Sequence, residues 1–187
     1  MCATTVTNTP CSLKTLILYG SPRKDGASAK VLTILQEQLG GDITVVDSYA
    51  RHIVPCDDCR GCYTHDGCVK RDMTDIYAAL EQADRLVFVT PVYNRSFPAP
   101  LKAIVDRLQC YWAKRFIRGV KPPIEKPKTA LLITVCGSDR DDGEQLLYQL
   151  EPQFTILHVT DTKAIHIKGC DGDVDWDAVE KNITAIR

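Results

Sequence analysis

Two almost entirely apolar runs constrain the fold of this chain more than any other feature. Residues 86–90 and 129–135 contain no charged side chain and do not alternate between apolar and polar positions. Strands that are covered on both faces in a parallel sheet have this pattern, whereas a strand with one face in water alternates. We therefore predict that these two segments are central strands of a parallel sheet.

The other segments alternate between strand and helix along the chain. Further strands are predicted at residues 13–19, 43–46 and 154–167. Helices are predicted over residues 27–39, 72–83 and 99–116, from residue 143 onward and around 176–183. Asp72 or Thr74 can cap the second of these helices. Parallel neighbours need crossover helices, so the order predicts an α/β, flavodoxin-like, doubly wound five-stranded parallel sheet with helices on both faces.

Length and charge narrow the class of protein further. The 187 residues suit a single domain over residues 13–187, preceded by a polar N-terminal tail at residues 1–12 that we expect to be flexible. The 24 acidic and 23 basic residues nearly cancel, which argues against nucleic acid and membrane surfaces as partners. The sequence has no apolar run of about 20 residues and no signal-like start, so a cytoplasmic protein is expected.

The loop between the first strand and the first helix has the composition of a phosphate site. It runs from Gly20 to Ser28 and leads directly into the helix, whose first N–H groups and dipole favour an anion. The hydroxyls of Ser21 and Ser28 can donate to phosphate oxygens, Arg23 adds a charged fork, and Gly26 allows a close approach of the backbone. We therefore predict a phosphate-bearing ligand here.

Several phosphate-binding classes are excluded by residues that the sequence lacks. It has neither a Walker loop nor a GxGxxG fingerprint, which argues against nucleoside triphosphates and a Rossmann dinucleotide site. Tyr19, Gly20 and Ser21 supply no acidic residue for a receiver domain at the end of the first strand. None of the nine cysteines has an arginine six positions later, as a cysteine-dependent phosphatase needs.

Three motifs together resemble one family. Residues 20–28 resemble the FMN phosphate loop of the flavodoxin-like NAD(P)H-dependent FMN reductases and iron-sulfur flavoproteins, although Ala27 stands where the family often has asparagine. Residues 90–94 with 101–107 resemble that family's flavin-ring loop and the helix after it. Residues 55–73 are similar to the compact cysteine motif of the iron-sulfur flavoproteins. The resemblance implies FMN as cofactor, NAD(P)H as a donor and a homodimer or homotetramer.

The resemblance and the topology together define the predicted flavin site. In open α/β sheets ligands bind beyond the carboxyl ends of the strands, where the strand order reverses. The N–H groups of residues 92–96 are predicted to face the polar edge of the flavin, with Pro91 and Tyr93 as an apolar wall. The predicted cofactor-binding residues are Ser21, Arg23, Gly26, Ala27, Ser28, Pro91, Val92, Tyr93, Asn94, Cys136 and Gly137.

A cysteine-rich loop at residues 55–72 carries the second candidate site. Cys56, Cys59, Cys62 and Cys68 follow the spacing C-x2-C-x2-C-x5-C, which can turn four thiolates toward one centre. A [4Fe-4S] cluster, a zinc ion held by the four cysteines or with His65 in place of one thiol, and an empty or partly disulfide-linked loop all fit this spacing. The other five cysteines are scattered, and a disulfide-stapled secreted scaffold is not expected.

The combined interpretation is an FMN-dependent oxidoreductase of the iron-sulfur flavoprotein type. It passes electrons between NAD(P)H or ferredoxin and a small acceptor, and the flavin carries the chemistry, so no catalytic side chain is predicted. Three alternatives stay open. They are a cluster-free FMN or quinone reductase that uses NAD(P)H, a non-enzymatic electron carrier with tightly bound FMN, and a zinc protein that has kept only the scaffold.

Overall fold

The computed structural model describes residues 12–140 and 142–185 of the chain. The predicted tail at residues 1–12 lies outside this description except for Ser12. The strands are β1 (Lys14–Tyr19), β2 (Asp42–Asp47), β3 (Arg85–Pro91), β4 (Lys128–Val135) and β5 (Val159–Ile167). All neighbouring strands pair in parallel, in the order β2-β1-β3-β4-β5. The predicted flavodoxin-like sheet is confirmed.

Helices cover both faces of this sheet. They are α1 (Ala27–Gln38), α2 (Thr74–Gln82), α3 (Ala99–Arg107), α4 (Gln109–Phe116), α5 (Gly143–Ile156) and α6 (Trp176–Thr184), with a short 3-10 turn at Gly61–Tyr63. No helix formed by the described residues is long and apolar enough to cross a membrane.

The unbroken apolar runs are explained by two separate cores. In β3, Leu86 and Phe88 belong to the core on one face, and Val87 and Val89 belong to the core on the other. All four side chains are fully buried, and each such burial stabilises the fold by roughly 1.5–3 kcal/mol. A central strand therefore needs apolar residues at every position, as the sequence pattern predicted.

The strand order reverses beside β1. The chain passes from β1 to β2 on one side and then to β3 on the other, so the loops after β1 and β3 separate at this point. The loop after β4 comes next to them, because the N–H of Val92 donates to the carbonyl of Val135 at 3.0 Å. This edge of the sheet is where a ligand site is expected.

The predicted helix at residues 99–116 is two helices. α3 ends at Arg107 and α4 begins at Gln109, with Leu108 between them. The N–H of Leu108 donates to the carbonyl of Val105, three residues earlier, at 3.1 Å. One tighter turn changes the direction of the chain while φ and ψ stay near helical values, so the apolar spacing gives no sign of it.

The segment predicted to hold the last strand, residues 154–167, contains that strand and also the end of α5. Residues 154–156 belong to α5, which continues through Pro152, and β5 begins only at Val159. The ring of Phe154 packs against Phe88 with 6.0 Å between centroids. This contact holds the end of the helix on the sheet. The turn into β5 is made at His158, whose φ is 61°.

Neither Asp72 nor Thr74 caps α2. The N-cap is Met73, whose side chain is buried in the core and cannot accept a hydrogen bond from the helix. Thr74 is the first helical residue, and its hydroxyl donates to the carbonyl of Arg71. The carboxylate of Asp72 is engaged by Arg107 instead. The buried side chain of Arg107 therefore binds the Asp72 carboxylate, which the sequence predicted as a cap of α2.

Candidate functional site

A cleft opens at the carboxyl edge of the sheet, between the loops that follow β1, β3, β4 and β5. Its volume is about 200 Å³. The lining residues are Ser21, Arg23, Gly26, Ala27, Ser28, Pro91, Val92, Tyr93, Val135, Gly137, Cys170 and Asp171. Nine of the eleven predicted cofactor-binding residues are among them. Segments that are far apart in the sequence are thus brought to one place, and their role in binding a cofactor stays a prediction.

One end of the cleft is formed by the loop after β1. Ser21 and Ser28 are both only 3% exposed, and the hydroxyl of Ser21 accepts the N–H of Arg23 at 3.3 Å. α1 begins after Gly26 without a side-chain cap and without an acidic residue in its first turn. Two hydroxyls and an uncapped helix start therefore meet at one point, which suits an anion.

Gly20 places this loop against the core. A Cβ built on Gly20 would lie 2.6 Å from Cδ2 of Leu101 and 2.9 Å from Oγ1 of Thr90. A side chain at this position would push the loop away from the sheet. The N–H of Gly20 also donates to the carbonyl of Val89 at 2.8 Å, which continues the β1–β3 pairing by one residue. The start of the loop is therefore fixed by the sheet itself.

The loop after β3 forms a closed turn. The N–H of Tyr93 donates to the carbonyl of Ser96, and the N–H of Ser96 donates to that of Tyr93, both at 2.9 Å. Together with the bond from Val92 to Val135, this uses three of the five N–H groups that were expected to face the flavin. For Val92, Tyr93 and Ser96 that expectation is wrong. Asn94 and Arg95, with φ of 50° and 61°, have no backbone acceptor for theirs among the described residues.

The loops after β4 and β5 form the far side of the cleft. Gly137 lines it, whereas Cys136 and Asn94 are outside the lining set. A Cβ on Gly137 would lie 2.3 Å from Oδ2 of Asp171, so the two loops are closely packed. Cys170 and Asp171 line the cleft but were not predicted. Their position just after β5, at the same edge of the sheet, was the signal that could have found them.

The cysteine loop forms a second, separate cavity. Its lining residues are Cys56, Asp57, Asp58, Cys59, Arg60, Cys62, Tyr63, Cys68, Lys70, Arg107, Gln109 and Cys110. All four cysteines of the motif are thus gathered around one space. They are joined by Cys110, which is buried. Among the described residues, none lines both this cavity and the cleft.

No disulfide joins the four motif thiols in this structure, and they are close enough to influence each other. Each is a free cysteine. Burial raises the pKa of the Cys62 thiol, and the neighbouring thiols of Cys68, Cys59 and Cys56 raise it further. Within residues 12–140 and 142–185, however, no three His, Cys, Asp or Glu side chains are arranged as ligands of one metal ion. The donor set fits a thiolate centre, and the occupant stays a prediction.

Residues with left-handed backbone conformations shape the cysteine loop. Asp58, Arg60 and Gly67 have φ of 51°, 58° and 75°, so the chain reverses between successive cysteines. His65 donates or accepts only within its own turn, through Thr64 and Gly61, and it does not line the cavity. It is therefore not placed as a substitute ligand.

Charged side chains from α3 and from the segment just after α4 hold this loop. Nη2 of Arg118 donates to Asp66 at 2.6 Å near the tip, and Nη2 of Arg107 donates to Asp72 at 2.8 Å at the base. The Arg107 guanidinium holds the pKa of the Asp72 carboxyl below its usual range. The sequence indicated neither arginine, because their partners are far away along the chain.

Comparison with known proteins identifies a family that this chain matches. Residues 13–168 match the model of the family described as NADPH-dependent FMN reductase. An iron-sulfur flavoprotein of Archaeoglobus fulgidus is 33% identical over 147 residues, which cover 75% of this chain and 70% of that protein. An iron-sulfur flavoprotein of Methanosarcina thermophila is 26% identical over 174 residues, covering 91% and 86% of the two chains.

A solved structure supports the fold independently. The NAD(P)H:quinone oxidoreductase from Methanothermobacter marburgensis superposes with a TM-score of 0.70 at 21% identity, covering 94% of this chain and 93% of the other. At this identity the likeness concerns the fold alone. The sheet that positions the cleft is thus shared with a flavodoxin-like oxidoreductase.

Proposed function

The chain belongs to the NADPH-dependent FMN reductase family of oxidoreductases, and from that premise we propose that it is a flavoprotein of the iron-sulfur type. In this proposal it passes electrons between a reduced donor, NAD(P)H or ferredoxin, and a small acceptor. The observation that carries it is the cleft, where nine residues chosen from sequence meet around one space. When bound, FMN supplies hydride and single-electron chemistry, so the protein contributes binding, orientation and exclusion of water.

The residues of the cleft suit FMN. The hydroxyls of Ser21 and Ser28, the guanidinium of Arg23 and the first N–H groups of α1 would hold the phosphate. Pro91 and Tyr93 would form the wall beside the ring, and Tyr93 is 40% exposed and can adjust to it. The free N–H groups of the Asn94 turn would serve the polar edge of the ring.

The four motif cysteines would hold a [4Fe-4S] cluster. Their shared cavity supports this assignment, as does the similarity to relatives that are named iron-sulfur flavoproteins. A second candidate is a cluster-free reductase that uses NAD(P)H and FMN or a quinone. The lack of a grouped ligand set among the described residues favours it. Both candidates use the same flavin cleft.

The visible spectrum and iron content of anaerobically purified protein separate the candidates. FMN alone gives only flavin bands, whereas a cluster adds broad absorption and about four irons per chain. Steady-state oxidation of NADH and NADPH, with a quinone or oxidised ferredoxin as acceptor, then identifies the donor and the acceptor. Protein that binds no FMN on reconstitution overturns the proposal as a whole.

A substitution at Tyr93 tests the ring assignment alone. Tyr93→Leu should shift the absorption or the reduction potential of bound FMN, because the aromatic wall beside the ring is lost. The fold should be unchanged, since Tyr93 is exposed. An identical flavin spectrum and potential in both proteins would place the ring elsewhere.

The remaining parts of the proposal concern assembly and location. We propose a homodimer or homotetramer that works in the cytoplasm without nucleic acid or membrane partners. The near balance of 24 acidic and 23 basic residues supports the absence of such partners. Analytical ultracentrifugation of the FMN-loaded protein tests the assembly, and a monomer at micromolar concentration contradicts it.

A further inference from the structure

Arg107 is a charged residue in a place where charge is costly. It is only 1% exposed and is among the largest fully buried side chains of the described chain. Burying an arginine is unfavourable unless its donors meet good acceptors. Its fork is accordingly bonded to the Asp72 carboxylate twice, through Nη2 at 2.8 Å and through Nη1 at 3.3 Å. The arginine is therefore held in one geometry.

The same fork also reaches the backbone on both sides of the cysteines. Nη1 donates to the carbonyl of Val54 at 2.7 Å, two residues before the first cysteine. Nη2 donates to the carbonyl of Lys70 at 3.0 Å, two residues after the last one. The circle is completed by Asp72, whose Oδ2 accepts the N–H of Val54 at 2.7 Å. One side chain of α3 thus ties the two ends of the loop together.

None of these bonds involves a thiol, yet the guanidinium lines the cavity that the thiols share. Bringing the ends of a loop together costs conformational entropy, and the hydrogen bonds of Arg107 offset part of that cost with protein groups alone. The tip of the loop is held by a different arginine, Arg118, through Asp66. Arg107 therefore holds the base of the loop that carries all four cysteines.

We propose that Arg107 is the positioning residue of the cysteine site: through Val54, Lys70 and Asp72 it closes the base of the loop and so keeps the segments that carry the four thiols around one cavity. This inference rests on the proposed function of that site. It requires the shape of the fork as well as its charge. A lysine ammonium is a point charge on a flexible stem, and it cannot reproduce a planar, bidentate contact with Asp72 together with both carbonyls.

The test uses Arg107→Lys, which keeps the charge, and Asp72→Asn, which keeps the size of the carboxylate partner. Lys102→Ala is the matched control, because it removes a surface ion pair with Asp106 from the same helix. Zn²⁺ affinity of the reduced, metal-stripped protein is measured by competition with a chelator. FMN retention and amide exchange are measured in the same samples, since a general loss of stability would affect the cleft and α3 as well.

We expect Zn²⁺ affinity to fall by about ten- to a hundredfold in both clamp variants, as for other residues that orient metal ligands. Amides of residues 54–72 should exchange faster, while FMN retention, α3 amides and the Lys102→Ala protein stay like wild type. Wild-type Zn²⁺ affinity with unchanged loop exchange in both variants overturns the proposal. If wild-type protein binds neither iron nor zinc, the proposed cysteine site fails, and loop exchange alone then decides whether Arg107 holds the loop. Should Arg107→Lys not fold, Asp72→Asn gives the same readouts.

Discussion

The flavin cleft and the cysteine loop are built in different ways. The cleft lies at the ends of β1, β3, β4 and β5, and hydrogen bonds of the sheet fix its walls. The cysteine loop contains only one short 3-10 turn, and ion pairs of Asp57, Asp66 and Asp72 with lysines and arginines hold it. The fold therefore creates the cleft wherever this sheet forms, whereas the loop depends on individual side chains.

The largest effect should come from removing one motif thiol. In Cys62→Ser, iron should fall from about four per chain to nearly none, because a cluster needs all four thiolates. FMN should be retained, since no residue in the described part of the chain lines both cavities. Iron analysis and flavin quantification on anaerobic protein measure both. Cys170→Ser is the control, because Cys170 lines only the cleft. Iron loss in the control, or flavin loss in the variant, breaks the separation of the two regions.

The next effect concerns the phosphate end of the cleft. Arg23→Ala should weaken FMN binding by roughly 1–3 kcal/mol, the range for a hydrogen bond to a charged group. Iron content should not change. Fluorescence titration of the flavin-free protein measures the affinity. Lys24→Ala is the matched control, because the neighbouring Lys24 side chain pairs with Asp47 and does not line the cleft. Equal affinities in the two variants would remove Arg23 from the site.

A third experiment asks whether the sheet fixes the cleft. Gly20→Ala should destabilise the protein by roughly 1–3 kcal/mol, as overpacking in a well-packed core does. The cause is the approach of the new Cβ to Leu101 at 2.6 Å. Gly40→Ala should have little effect, because a Cβ there meets no atom within 4 Å. Urea unfolding of both variants measures this difference in stability. Equal unfolding midpoints would show that the loop after β1 is not fixed against the sheet.

The smallest expected effect is acid release of the cysteine loop. The pKa of Asp72 is lowered, chiefly by its hydrogen bond from Arg107. The ion pair therefore contributes fully above the unfolded pKa, about 3.9 for aspartate, and is lost as pH falls through the lower folded pKa. The stability difference between wild type and Asp72→Asn should be constant near neutral pH and shrink below about pH 4. If the stability difference between the two proteins does not shrink in acid, the ion pair between Arg107 and Asp72 does not hold the base of the loop.

The sequence predicted the parts that local patterns determine. The unbroken apolar runs at β3 and β4 predicted the central strands. The polar loop between Tyr19 and Ala27 predicted most of the residues at the phosphate end of the cleft. The break at Leu108 was missed because its φ of −66° is still helical. Arg107 was missed because a charged residue is expected outside, and only its distant acceptors explain its burial. Cys170 and Asp171 were missed although the end of β5 at Ile167 was predicted, because the sequence did not show that the loop after β5 reaches the cleft.

Helix α3 reaches from one region to the other. Leu101 touches the first residue of the loop after β1, and Arg107 holds the base of the cysteine loop. The two residues are six positions apart, which is about 9 Å along a helix at 1.5 Å per residue. Helical hydrogen bonds resist stretching. Helix α3 therefore fixes the distance between its contact with the loop after β1 and its contact with the base of the cysteine loop. If electrons pass between the two sites, α3 fixes the separation of the segments that form them. The difference in reduction potential is then the quantity that can still change the transfer rate.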